Sequence, residues 1–168
     1  MSFYPGSRRG FIRATAIVFF TTHAFSLSAQ GVASKDEERA LDAVRRLRLG
    51  RNLSTLAFQA ASRTQTYAFA VAELGETRAR TLLVQYIQQV APRYQERWDL
   101  NLARSHLERL TAAELQSIAE QGPNSPSAPK LQAEQNAIGA AMQARSSRLL
   151  TEMVADILSK LFQDLPKR

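Results

Sequence analysis

Few side chains in this 168-residue chain could carry out chemistry, and their spacing limits them further. There is no cysteine, and the two histidines are His23 and His106. His23 falls in an N-terminal segment that reads as a signal peptide, so His106 is the one imidazole of the mature chain. A zinc site gathers three or four nitrogen, sulfur or carboxylate ligands, and no metal or other cofactor is expected here. Ser105 and His106 are adjacent, and neighbours on a helix point about 100° apart, so they do not form a nucleophile–base pair. Glu96 and Asp99 stand at i,i+3 beside Trp98 and could in principle serve as acid and base in glycosidic chemistry. They are equally ordinary helix-surface acids, with Arg93, Arg97 and Arg104 within reach. No G-x-S-x-G turn and no glycine-rich phosphate loop occurs in the chain. The inventory argues for binding over catalysis, with an enzyme of unknown reaction as the remote alternative.

These residues sit on the longest periodic stretch. Leu83, Ile87, Val90, Tyr94, Trp98 and Leu102 recur at steps of three and four between Glu76 and Leu110, as one helix face requires. Pro92 lies inside that run and frees the carbonyl of Gln88, which predicts a kink or two helices meeting there. Tyr86, Tyr94 and Trp98 could form a ligand platform, but aromatics at helical spacing are more often core. His106 lies four residues after Leu102 and four before Leu110, which predicts a buried, hydrogen-bonded histidine.

Thr111-Ala112-Ala113-Glu114 is a capping box, with Leu110 and Leu115 placed as its hydrophobic staple. It predicts a helix from Ala112 that ends at Gly122-Pro123. A surface loop over 122–128 follows, and Pro129 suits the first position of the next helix. The order of an aromatic-rich helix, L-T-x-x-E-L, a short helix and then S-P-x-small-x-K-L resembles a bacterial exported family, domain of unknown function 2059. The matching residues are Leu110, Thr111, Glu114 and Leu115, then Ser125, Pro126, Ala128, Lys130 and Leu131, within a family-like region of about 94–160. The family usually has an aromatic pair before its Ser-Pro and a glycine at the position of Ala128, so this chain would be a divergent member. The resemblance implies an exported helical domain with no agreed activity.

Export is also what the first residues suggest. Ser7, Arg8, Arg9, Phe11, Ile12 and Arg13 fit the twin-arginine pattern, and a moderately apolar stretch follows from Ala14 to Leu27. Cleavage between Ala29 and Gln30 would leave residues 30–168 as the mature domain, periplasmic or secreted. Losing Arg8, Arg9 and Arg13 lowers the formal net charge from +7 to +4. That mild excess argues against nucleic acid as the main partner.

Upstream, Ser34 to Glu37 reads as a second capping box opening a helix with Leu41, Val44 and Leu47 on its apolar stripe. Gly50 is its expected stop. Arg45, Arg46, Arg48 and Arg51 form the densest basic run of the mature chain, either a weak patch for anionic lipid headgroups or an acidic partner, or a solvated face with Asp42–Arg46 as an i,i+4 pair. One helix is expected from Asn52 to Ala72, with a break at Leu74-Gly75. The final helix should carry Leu131, Ile138 and Met142, then Leu150, Met153, Val154, Ile157, Leu161 and Phe162. Gly139-Ala140-Ala141 marks a close-packing spot or a bend, and Pro166 closes the helix. Nothing alternates with period two. The expectation is an all-α, single-domain bundle of about five or six helices. Its partner would be another protein, an apolar small molecule or a second copy of itself.

Overall fold

The computed structural model describes residues 27–165, with side chains from Lys35 onward. The motif Ser7, Arg8, Arg9, Phe11, Ile12 and Arg13, and Pro166, lie outside the described residues. Those described form an all-α bundle of seven α-helices without a strand. In chain order they are α1 (Leu27–Arg46), α2 (Leu53–Ala61), α3 (Gln65–Leu74), α4 (Glu76–Val90), α5 (Pro92–Leu107), α6 (Ala112–Gln121) and α7 (Ala128–Gln163).

Two breaks follow the expected chemistry. Pro92 opens α5, and Ala91 closes α4 by donating its N–H to Ile87. Thr111 caps α6 as a complete capping box: its hydroxyl accepts from the Glu114 N–H, and Glu114 accepts from the Thr111 N–H at 2.8 Å. Leu110 and Leu115 on either side of the cap are both buried.

Other boundaries differ from the sequence reading. The stretch 52–72 is two helices, because Thr64 adopts an extended backbone and its hydroxyl caps α3 by accepting from Tyr67 N–H. That cap raises the count to seven. Ser34 does not open α1, whose backbone is already helical from Leu27; Ala29 and Gln30 therefore lie in its first turn. Leu27, Ala29, Gln30 and Ala33 are good helix formers, so the helix extends through the second box. Glu37, freed from a capping role, instead takes a two-pronged hydrogen bond from Arg104 at 2.7 and 3.0 Å. Gly139 makes neither a bend nor a close contact. α7 runs through it unbroken, and a Cβ there would meet nothing within 4 Å. Phe162 lies on the solvent side of α7 at 60% exposure, and Leu149 takes a core place.

The core is assembled around α7. Met153, Ile157 and Leu161 are fully buried, as are Val44 of α1, Leu53 of α2 and Leu83 and Val90 of α4. Each such side chain contributes roughly 1.5–3 kcal/mol by leaving water, far more than a surface ion pair. Polar contacts then set the register. α5 runs antiparallel to α7: Tyr94 donates to Asp156 at 2.7 Å, Arg97 pairs with Glu152 at 3.5 Å, and Asn101 donates to Ser146 at 3.0 Å. Tyr86 of α4 bonds Asp164 just past α7, and this acceptor together with burial pushes the phenol up to about 12, so it stays a neutral donor.

Between α1 and α2 the chain turns sharply. Gly50 is buried, but its role is close approach and not positive φ. A Cβ at Gly50 would overlap the Asp99 carboxylate and come within 2.8 Å of Gln95 Nε2, the group that donates to the Gly50 carbonyl. The left-handed residue is Arg48, at φ 54 and ψ 36.

Opposite effects are expected for two substitutions, read as urea unfolding midpoints. Gly50→Ala should lose about 1–3 kcal/mol by overpacking against α5. Arg48→Gly relieves about 1–2 kcal/mol of left-handed strain and returns about 0.4–1 to the unfolded chain, leaving a gain of up to about 1.6 kcal/mol. An unchanged midpoint for Gly50→Ala would show that the turn can move away from Asp99.

Candidate functional site

The expected site residues do not converge on one place. Arg45 pairs with Glu96 at 3.9 Å, and Arg46 with Asp42 at 3.8 Å and Glu120 at 4.0 Å. These are exposed pairs of small energetic weight. Arg48 and Arg51 lie beyond the end of α1, because the helix stops at Arg46 before the left-handed turn. The basic run is therefore spread over a helix end and a turn and does not form one helical stripe. Glu96 is exposed while Asp99 is buried against Gly50, so the two carboxylates do not face one cleft. Trp98 is core, at 4% exposure.

The family-like motif does come together. Lys130 at the start of α7 reaches Glu114 with both carboxylate oxygens at 2.8 and 2.9 Å, the same carboxylate that caps α6. Lys130, then the Thr111 N–H, hold the Glu114 carboxyl below the usual carboxylate range. Ser125 is buried within a loop that is otherwise at the surface. Its hydroxyl pairs with Ser117 at 2.8 Å and accepts from the Ser127 N–H. Pro126 remains exposed. Glu114, capped by Thr111 and clamped by Lys130, ties the start of α6 to the start of α7, Ser125 ties the intervening loop to Ser117, and Leu110 and Leu115 are buried beside the cap.

The feature best suited to hold another molecule lies elsewhere. A groove of about 810 Å³ opens between α5, α7 and the Leu49–Leu56 turn and helix. That volume lies within the range of small-molecule sites. Trp98, Leu102, Ile138 and Met142 are its buried apolar residues, with Leu49, Leu56, Leu131 and Leu150 half-buried along it. Asn52, Gln135, Asn136 and Gln143 are its exposed amides. No Asp, Glu, Lys or Arg lines it, although 22% of the chain is charged. The lining on α7 falls at Leu131, Gln135, Ile138, Met142, Ser146 and Leu150, one uncharged helix face. Sequence reasoning had the apolar members of this face, but not that α5 and α2 leave it partly uncovered.

His106 is the groove's one titratable group. It is buried, and its Nδ1 lies 2.7 Å from the Leu102 carbonyl. This is the structural histidine expected from its spacing: the carbonyl takes Nδ1–H and leaves no nucleophile–base pair with Ser105, whose hydroxyl donates to Asn101 O. Desolvation pushes the imidazole below its ordinary value, against the smaller opposing effect of that hydrogen bond. Elsewhere in the groove wall, Trp98 Nε1 is buried without a partner among the described residues. An unmade hydrogen bond of this kind costs about 1–3 kcal/mol.

His106 makes stability pH-dependent in a defined window. Because its folded pKa is lowered, the unfolded chain binds the proton first as pH falls below about 6.5. Stability should be unaffected by this group above that pH and should decline on acidification toward the folded pKa, by at most about 1.4 kcal/mol per pH unit. Urea unfolding between pH 7 and 5, above the carboxylate range, should show this slope in the native chain and lose it in His106→Gln. A slope that persists in the variant would assign the effect to another group.

Comparison with known proteins finds no matching family model, no matching curated protein and no matching solved structure.

Proposed function

We propose that the protein is an exported helical binding module of the bacterial envelope, which holds a ligand in the α5–α7 groove without turning it over. The observation that carries this reading is the groove itself: a long apolar recess with amides at its edge and a single titratable group engaged by the backbone. Buried apolar surface with a few polar groups is the usual make-up of a ligand site. Export rests on Ser7, Arg8, Arg9, Phe11, Ile12 and Arg13 and on the small-residue site at Ala29-Gln30. Processing there would leave α1 beginning at Gln30, with its buried residues Ala40, Ala43 and Val44 retained. Divergent kinship with the exported family of unknown function rests on the tether built from Thr111, Glu114, Ser125 and Lys130.

A second reading is contact with an anionic membrane surface. Arg48 and Arg51 favour it, since both are exposed and neither has an ion-pair partner among the described residues. Among those residues no helix is long and apolar enough to cross a membrane, so contact through them would be peripheral. Co-sedimentation with anionic vesicles at low salt should then disappear in Arg48→Gln/Arg51→Gln. No binding by the native chain would remove this reading.

Native mass spectrometry of the protein from the envelope fraction of its own host tests the main reading. The expected spectrum is a chain beginning at Gln30 with a non-covalent mass of small-molecule size. A chain retaining residues 1–29 in the cytoplasmic fraction would overturn export. Robust turnover of an envelope substrate, abolished by one polar substitution, would overturn the non-catalytic assignment.

A further inference from the structure

The shape and charge of the groove narrow what it can hold. We infer that the groove takes an uncharged, elongated aliphatic chain, lying along α7 from Leu131 to Leu150. This rests on the reading of the groove as the binding site.

Shape is the first argument. Leu131 to Leu150 spans nineteen residue steps of about 1.5 Å, or about 28 Å along the helix axis. The recess follows one face of α7 over that length, which is too long for a compact ring system to fill and suits an extended chain.

Charge is the second. With no cationic side chain among the lining residues, a carboxylate or phosphate held within the groove would lose water and find no counter-ion. Uncompensated burial of that kind costs several kcal/mol. The amides of Asn52, Gln135, Asn136 and Gln143 have no hydrogen bonds among the described residues, which leaves them available to a neutral hydroxyl or carbonyl. The apolar residues beneath them favour methylenes, each contributing about 0.8 kcal/mol on burial.

Two features make the inference testable without unfolding the protein. Trp98 is the chain's single tryptophan and lies in the groove wall, so its emission reports on occupancy. Gly139 is a helix-interior glycine at the groove with open space where a Cβ would stand. Leucine there should fill the recess while improving helix propensity, so the variant should melt no lower than the native chain.

The experiment titrates the full chain at pH 8 with dodecan-1-ol and with dodecanoate, reading Trp98 emission. Saturable binding of dodecanol is expected, with dodecanoate weaker by about ten-fold or more. Gly139→Leu should weaken dodecanol by about ten-fold or more, whereas Gly139→Ala should leave it nearly unchanged. If dodecanoate binds as tightly as the alcohol and Gly139→Leu blocks both, the neutral-chain inference is overturned and the groove stands as a binding site. If neither probe gives a saturable response, or if binding ignores Gly139→Leu, the groove reading fails and this inference with it. A concentration-dependent dimer that Gly139→Leu converts to monomer would assign the groove to a second copy and overturn the inference.

Discussion

The burial of one face of α7 is the constraint on which the remaining structure depends. Met153, Ile157 and Leu161 contact no solvent, and the helices packed on α7 are α2, α3, α4 and α5. Removing such surface from water contributes several kcal/mol across three side chains, whereas the ion pairs along the same helix contribute at most about one each. The polar contacts act on geometry. Asp156 accepts from Tyr94, Ser146 accepts from Asn101, and Glu152 faces Arg97, so α5 can lie against α7 in one antiparallel register. A slide by one helical turn would separate all of these partners together.

That register has a consequence at the opposite face of α5. With Trp98 directed to the core, Asp99 falls on the side where the chain turns from α1 into α2. The turn passes so close that a Cβ at position 50 would displace the Asp99 and Gln95 side chains, and Gln95 bridges the Gly50 carbonyl and Asp99. The left-handed Arg48 belongs to the same turn. A residue type that disfavours this conformation is held there because the packing on both sides over-determines the backbone. The basic run thus owes its arrangement to the turn and not to a helical stripe.

The groove follows from the same packing. The N-terminal half of α7 is partly uncovered, because α5 and the Leu49–Leu56 segment meet its uncharged face on two sides and leave the recess between them. The lining combines apolar residues with amides and hydroxyls, so it can meet water without a partner and still offer an apolar bed. Two buried polar groups of its wall differ in kind. His106 is satisfied by its own helix, while Trp98 Nε1 is satisfied by nothing among the described residues.

Much of this was legible in the residues alone, for local reasons. The capping box at Thr111, the interruption at Pro92 and the stripe of Met153, Ile157 and Leu161 are each written within a few positions, and helix geometry converts such spacing directly into a face or an end. The split at Thr64 was equally local but weaker, since a lone threonine caps one helix or sits inside another with little difference in propensity. Ser34 illustrates the converse: the box is present, yet helix formers on its N-terminal side extend the helix past it. What the chain could not state by itself are the distances between elements far apart in sequence. The exclusion of a Cβ at Gly50 depends on Asp99, the Glu114 clamp on Lys130, and the groove on three segments spanning residues 49–150. Periodicity says which face of a helix is apolar. Whether that face is covered or left open is decided only when its neighbours are packed against it.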